Sequence, residues 1–196
     1  MKYELTDDVK EFNGNILHRI KAIKDFSRIN AGDLGGWVES EDNLSHEGDA
    51  WVYGDAKVCG NAMVYGNAEV YGDAWVYGNA KVCGDAWVYG NAMVYGNAKV
   101  YGDAKVCGDA EVCGNAEVYG NAKVCGNEDY IVFKNFWSSG RYFTWTRSNN
   151  MWKVGCFYGT GEELIKNAYA DCEKSGMEYE RIVRYVEQIL GEDVDK

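Results

Sequence analysis

No run of 18 apolar residues occurs in this chain of 196, which excludes a membrane-spanning helix. The opening Met1-Lys2-Tyr3-Glu4-Leu5-Thr6-Asp7-Asp8 holds no apolar core, which excludes a secretory signal at this start. Histidine is scarce, with only His18 and His46, and proline is absent. The seven cysteines are odd in number and none lies in a CxxC pair, so zinc-finger spacing is excluded. Five of the seven recur at one position of a repeat, which fits a small apolar filler better than a disulfide framework and points to a reducing cytoplasm. Cations are outnumbered, with 20 Lys and Arg against 31 Asp and Glu. A net charge of −11 excludes a general binder of duplex nucleic acid. What is abundant is glycine, 24 residues, and tyrosine, 15 residues, in a chain that is 46% hydrophobic and so able to bury a core. The glycines are not scattered, which makes an internal repeat the first question.

From Gly48 to Asn127 the chain reads Gly-[Asn/Asp]-Ala-x-Val-[Tyr/Cys] thirteen times, with Val at 52, 58, 64 and every sixth position to 124. Ala-x-Val-[Tyr/Cys] alternates with period two and predicts a short strand, Ala and Val on one face, x and Tyr or Cys on the other. Gly followed by Asn or Asp predicts a turn, since both tolerate positive φ. Short strands joined by two-residue corners coil the chain upon itself, and an inner face of only Ala and Val demands a narrow core.

This pattern resembles the hexapeptide-repeat left-handed parallel β-helix, in which an aliphatic residue and a small residue four later point inward, as in Val58-Cys59-Gly60-Asn61-Ala62. The resemblance implies three hexapeptides per coil, so thirteen repeats give about four coils, roughly 20 Å of rod at ~4.8 Å per strand. A coil of three hexapeptides stacks Asn61, Asn79, Asn97 and Asn115 on one corner, and Tyr53, Tyr71 and Tyr89 above Cys107 and Cys125 on one side. Trp51, Trp75 and Trp87 face outward, and so many outward aromatics call for a cover. The candidates are the N-terminal segment, the C-terminal domain or a second subunit, so these three residues are candidate oligomer or domain contacts, and a dimer or trimer is expected.

Enzymes of the resembled family are commonly acyltransferases with a histidine base in or beside the coils. The perfect repeats hold no histidine and no projecting loop. His46 precedes them beside Glu47 and reads as a solvated residue rather than a base. Gly159-Thr160-Gly161 lacks the Lys-Ser/Thr of a phosphate loop, and there is no serine elbow. The corner Asp and Asn read as turn formers. No catalytic residue, metal or cofactor is therefore assigned.

The chain reads in three parts: 1–47 an N-terminal cap and leading coil, 48–127 the β-helix, and 128–196 a small α+β domain. In the cap, 16–23 predicts a strand, and Gly32-Asp33-Leu34-Gly35-Gly36-Trp37-Val38-Glu39 a glycine turn leading into an irregular coil. Residues 130–161 hold ten aromatics and four cations (Lys134, Arg141, Arg147 and Lys153) with no acid. Three antiparallel strands are predicted at 130–137, 141–147 and 152–158, followed by two helices, the first opened by a capping box of Thr160 and Glu163. The predicted fold class is thus mainly β, a left-handed parallel β-helix with an N-terminal cap and a C-terminal three-stranded antiparallel sheet plus two helices. Alternation puts Arg141, Phe143, Trp145 and Arg147 on one face of the middle strand. Aromatics flanked by guanidinium groups suit planar anions, so the candidate binding residues are Arg141, Tyr142, Trp145, Arg147, Trp152 and Lys153. The competing reading packs Phe143 and Trp145 on the helices.

The whole arrangement also resembles small proteins of bacteriophages and prophages, through Gly32–Glu39, the repeat, and Gly155-Cys156-Phe157-Tyr158-Gly159-Thr160-Gly161-Glu162-Glu163. That resemblance implies a non-enzymatic binding protein, a phage accessory or counter-defence factor that binds a host defence protein or sequesters a nucleotide-like signal in the bacterial cytoplasm. The expected partners are a second copy and either a host protein or a nucleotide-like anion, with no duplex nucleic acid and no membrane. The alternatives are an acyltransferase-like hexapeptide enzyme and a purely structural or assembly module.

Overall fold

A computed structural model of the chain describes residues 1–194. The chain divides into two compact units, residues 1–130 with 147–149, and residues 131–146 with those from Asn150 onward.

The first unit is a three-sided parallel β-solenoid. Each hexapeptide contributes one two-residue rung of x and Val, and every third rung pairs in register, as Trp87–Val88 does with Lys105–Val106 on one side and Glu69–Val70 on the other. The repeat valines 52 to 124 and alanines 50 to 122 are all at 0% exposure, so the interior is the narrow Val/Ala core that the alternation requires. Before the repeats, an antiparallel hairpin, β1 (Tyr3–Phe12) and β2 (Asn15–Ala22), runs into β3 (Leu34–Val38). Strand β3 continues in parallel onto Lys57–Val58. With Leu44 bridging Val64 and Trp51–Val52 paired to Glu69–Val70, this makes a fifth coil above the four that the repeats supply. Its irregularity is local. Val38 meets Val58, twenty residues on, whereas Val52 meets Val70, eighteen on, so two extra residues lie between Leu44 and Val52.

The corners are closed by glycine alone. Gly84 has φ +73°, and a Cβ there would come within 2.9 Å of the Gly102 nitrogen on the next coil. Both the conformation and the stacking distance therefore require glycine. The following Asn or Asp keeps ordinary φ, unlike the sequence expectation, and acts through its side chain instead. Asn61, Asn79, Asn97 and Asn115 form the expected ladder, each amide donating to the next at 3.0, 3.2 and 3.4 Å. Tyr71 and Tyr89 stack at 5.0 Å and 4°, and Tyr77 and Tyr95 at 4.9 Å and 7°. Cys107 and Cys125 lie directly above one another on adjacent coils, as the ladder predicts, with their sulfur atoms in contact.

A stack of coils leaves unpaired backbone groups at both ends. The Lys2 ammonium donates to Gly48 O at 3.1 Å and Ala50 O at 2.6 Å. One coil further on, the corresponding carbonyls of Gly66 and Ala68 accept from the backbone N–H of Ala50 and Trp51. Lys2 thus replaces the donors of a missing coil. Buried Asn43 does the same from within the first coil, its amide donating to Gly60 O and Ala62 O, both at 2.9 Å. The Tyr3 hydroxyl donates to Leu44 O at 2.8 Å, and burial pushes its ionisation well above the usual tyrosine range. At the far end the open groups are N–H donors, and the chain supplies acceptors. Glu111 N donates to Asn127 Oδ1 at 2.8 Å, Cys125 N to Asp129 Oδ2 at 2.7 Å, and Lys123 N to Ser148 Oγ at 2.6 Å.

The second unit is a four-stranded antiparallel sheet with two helices. Its strands are β4 (Tyr130–Lys134), β5 (Tyr142–Thr146), β6 (Met151–Val154) and β7 (Phe157–Gly159). The segment that reads as one strand at 152–158 is two, because Gly155 at φ +55° reverses the chain. Helix α1 (Gly161–Asp171) opens on the predicted capping box, Glu163 N donating to Thr160 Oγ1 and Thr160 N to Glu163 Oε2. Helix α2 (Glu173–Val194) buries Tyr179, Val183 and Val186.

Two outcomes are expected. Val88→Phe overpacks a core without spare volume and lowers stability by about 1–3 kcal/mol in denaturant melts; an unchanged midpoint would contradict the inward assignment. Lys2→Met leaves two carbonyls unpaired and costs about 1–3 kcal/mol at pH 7. Its pH dependence has a definite sign. Burial lowers the Lys2 pKa from 10.5 to about 8, against the opposing pull of Asp49. Between these values the unfolded chain binds the extra proton, so Lys2 contributes more stability as pH rises. The neutral amine keeps N–H groups for both carbonyls. The gap between wild type and Lys2→Met therefore widens from pH 8 to pH 10 in matched melts.

Candidate functional site

On the solenoid, one outward column runs Trp51, Glu69, Trp87, Lys105, and the adjoining corner column runs Asp49, Asn67, Asp85, Asp103. A turn of the N-terminal segment overhangs them. Phe26 and Ile29 close this turn by exchanging backbone hydrogen bonds at 3.0 and 2.8 Å, with Ser27 at φ +48°. Phe26 is anchored edge-on against Trp51 at 5.3 Å and Ile29 is buried, which leaves Arg28 projecting from the tip. Between the tip and the columns lies a cleft of about 450 Å³, lined by Arg28, Glu69, Trp87, Lys105 and the corner residues Asp49, Asp85 and Asp103. A smaller, more apolar hollow of about 330 Å³ adjoins it, lined by Arg28, Ile29, Tyr53, Glu69 and Tyr71.

The cleft has a defined chemistry. Trp87 forms an aromatic floor, its ring 6.3 Å from Tyr71 and capped by the Lys105 ammonium at 4.3 Å. Asn67 orients Asp85 by donating to its Oδ1 at 3.0 Å. Burial raises the Tyr53 and Tyr71 hydroxyls above their ordinary range, so both stay protonated donors at neutral pH. Carboxylates able to take up a proton thus sit beside two cations able to hold an anionic group, over a flat apolar surface.

The two histidines stand apart from this cleft. His46 stacks on Tyr3 at 4.3 Å, so it is packed into the cap rather than solvated. Its Nδ1 accepts the Lys2 N–H at 3.3 Å, which leaves the ring proton of the neutral form on Nε2, 3.8 Å from Glu41. His18 has the opposite arrangement. Its Nδ1 lies 3.2 Å from the Thr6 carbonyl, which can only accept, so the ring proton of the neutral form sits on Nδ1.

The residues singled out from sequence are dispersed. Trp145 and Trp152 pair directly across β5 and β6 at 1% and 2% exposure, in the core with Phe143, Val154 and the two helices. The Trp145 indole donates to Asn150 Oδ1 at 2.9 Å. Neither ring offers a stacking face, and that part of the anion-site expectation is corrected. The alternation identified one face of the strand, and that face is the one the helices cover. Arg141 is exposed and Tyr142 half-buried in the second unit, and Lys153 donates to the Gly155 carbonyl. Arg147 belongs to the first unit, its N–H bonded to Asp129 O at 2.8 Å.

Of the outward tryptophans, Trp51 is buried to 1% by Tyr3 and Phe26, and Trp75 packs edge-on against Phe12 at 4.9 Å and stacks on Tyr77 at 3.9 Å. The N-terminal segment therefore takes up much of the surface that motivated a dimer or trimer, and Trp87 remains as the cleft floor. Arg28, Glu69, Asp85, Asp103 and Lys105 escaped the sequence reading. The repeat spacing carries the signal for the last four, whereas nothing in that spacing brings Arg28 to them.

Two comparisons with known proteins bear on this site. The YdcK beta-solenoid repeat family model matches residues 56–72 and 86–102. The uncharacterized acetyltransferase YdcK of Escherichia coli (strain K12) is 35% identical over 60 residues, covering 26% of this chain. The match spans 18% of that relative's own length. Both support the hexapeptide-type β-helix, and neither bears on the bacteriophage setting. The second corrects the expectation that the chain is not an enzyme, because the relative it matches is named an acetyltransferase.

The burial pattern gives a direct check. Trp145→Ala empties a core position and lowers stability by about 3–5 kcal/mol, while Arg141→Ala stays within about 0.5 kcal/mol. Equal effects in urea melts would contradict the assignment of this face.

Proposed function

We propose that the chain is an acyltransferase-like solenoid protein whose reaction takes place in the cleft under Arg28. The observation that carries this reading is that the repeats matched to the YdcK model, 56–72 and 86–102, contain Glu69, Tyr71 and Trp87, which build the two hollows. In acyl transfer from a thioester, the acceptor's nitrogen or oxygen attacks the carbonyl, its proton passes to a base, and the thiol leaves. Glu69 is the base in this proposal, since it lines both hollows beside Arg28. Arg28 and Lys105 hold anionic groups of the donor, and Trp87 offers an apolar face. The absence of histidine from the repeats does not oppose the reading, because a carboxylate performs the same proton transfer.

Purified protein supplied with acetyl-coenzyme A and a panel of amines and alcohols is expected to release free thiol with at least one acceptor. Glu69→Gln and Arg28→Ala should each lower the rate tenfold or more, equivalent to about 1.4 kcal/mol of transition-state stabilisation, with unchanged melting. Loss of turnover in His18→Asn but not in Glu69→Gln would move the base to His18. No thiol release above spontaneous hydrolysis with any acceptor would overturn the proposal.

A further inference from the structure

The hairpin tip between β4 and β5 presents two large apolar side chains to solvent. Phe136 is 71% exposed and Trp137 72%. Strict alternation would turn one of two consecutive residues inward, but the chain leaves the strand here. Asn135, only 2% exposed, accepts through Oδ1 from the N–H of Trp137 at 2.9 Å and of Ser138 at 3.0 Å, and its amide donates to Ser138 Oγ at 3.0 Å. Its own N–H closes the loop onto Arg141 O at 2.9 Å. The tip is therefore held in shape by a buried asparagine, and both rings are presented rather than left over from a loose loop.

The surroundings of the rings are cationic. The Lys134 ammonium lies 4.9 Å from the Phe136 ring and 5.3 Å from the Tyr142 ring, and Arg141 is exposed at the other root of the loop. From Ile131 to Thr146 the second unit holds Lys134 and Arg141 and no carboxylate, in a chain of net charge −11. A convex tip ending in Trp and Phe and rooted in Lys and Arg matches the boundary of an anionic bilayer, where aromatic rings lie at headgroup depth and cations meet lipid phosphates. A protein partner would have to offer a pocket for two adjacent rings, whereas a lipid surface yields to them.

We propose that the 135–141 tip is a peripheral docking element for anionic lipid surfaces, with Phe136 and Trp137 inserting and Lys134 and Arg141 pairing with headgroups. The sequence expectation of no membrane partner rested on the lack of a spanning segment, which peripheral contact does not need. The proposal is independent of the acyl-transfer reading, and its test involves no turnover.

The test is co-sedimentation of the full chain with vesicles of phosphatidylcholine alone and of phosphatidylcholine mixed with phosphatidylserine, at low salt. Binding to the anionic vesicles is expected, with weakening as salt rises. Phe136→Ser with Trp137→Ser should lower the bound fraction tenfold or more without altering the melting temperature, because both side chains are exposed. Lys134→Glu with Arg141→Glu should abolish it. Absence of binding to the anionic vesicles overturns the proposal. Equal binding to both vesicle types overturns the charge-pairing role, and unchanged binding of the Ser variant overturns the insertion role. If vesicles do not bind and the Ser variant instead reduces self-association in sedimentation velocity, the tip is a protein contact and the lipid assignment fails.

Discussion

The register of one coil on the next is the constraint on which the rest of the solenoid depends. Each rung pairs with the third rung along the chain, and backbone groups reach across at 2.9 Å, as from Trp87 to Ala104 and from Tyr89 to Val106. That spacing leaves no space for a Cβ at corners such as Gly84, which faces the Gly102 backbone, and the repeats fill the inside with Ala and Val alone. It also creates the problem at the two ends. On one side the β1–β2 hairpin pairs onto β3 and extends the sheet past the first coil, and elsewhere the solution is chemical. At the first coil a lysine, a tyrosine and an asparagine supply donors to stranded carbonyls, and at the last coil an asparagine, an aspartate and a serine supply acceptors to stranded N–H groups. A buried ammonium is costly alone, but here its protons meet two carbonyls that would otherwise lack partners.

The same register makes surface chemistry columnar. Whatever occupies one outward position is stacked under its counterpart three hexapeptides away, so polar and aromatic side chains come as ladders. Amide ladders and tyrosine stacks stabilise neighbouring coils. Where the column changes character, from Trp51 through Glu69 and Trp87 to Lys105, it becomes a mixed surface able to hold a ligand, and the Arg28 turn converts that surface into a cleft. In the proposed acyl transfer, the rigid stack fixes the distances between Glu69, Trp87 and Lys105, while the turn carries Arg28. Residues that act on one molecule are then positioned by backbone hydrogen bonds instead of by long loops.

The repeat by itself determined a good deal about this protein. Its six-residue period gives the inward Val and Ala and the glycine corners, and its resemblance to hexapeptide β-helices adds three hexapeptides per coil, from which the parallel β-helix, the asparagine ladder and the tyrosine stacks follow. The helix start at Thr160 was legible for a similar reason, since a capping box is local. Tertiary structure decided what periodicity leaves open. Alternation shows that Trp145 and Phe143 share a face but not that two helices cover it. Outward pointing of Trp51 does not reveal that Tyr3 and Phe26 bury it. Lys2 in an acidic N-terminal segment reads as an ordinary surface cation until Gly48 and Ala50 are seen to lack donors. The cleft needs Arg28 to meet Glu69, Trp87 and Lys105, all far along the chain, and Phe136 and Trp137 stay exposed because Asn135 turns the chain. Local patterns specify faces and turns, since their causes lie within a few bonds. What lies against each face is set by chain segments distant in sequence, and that only the folded chain decides.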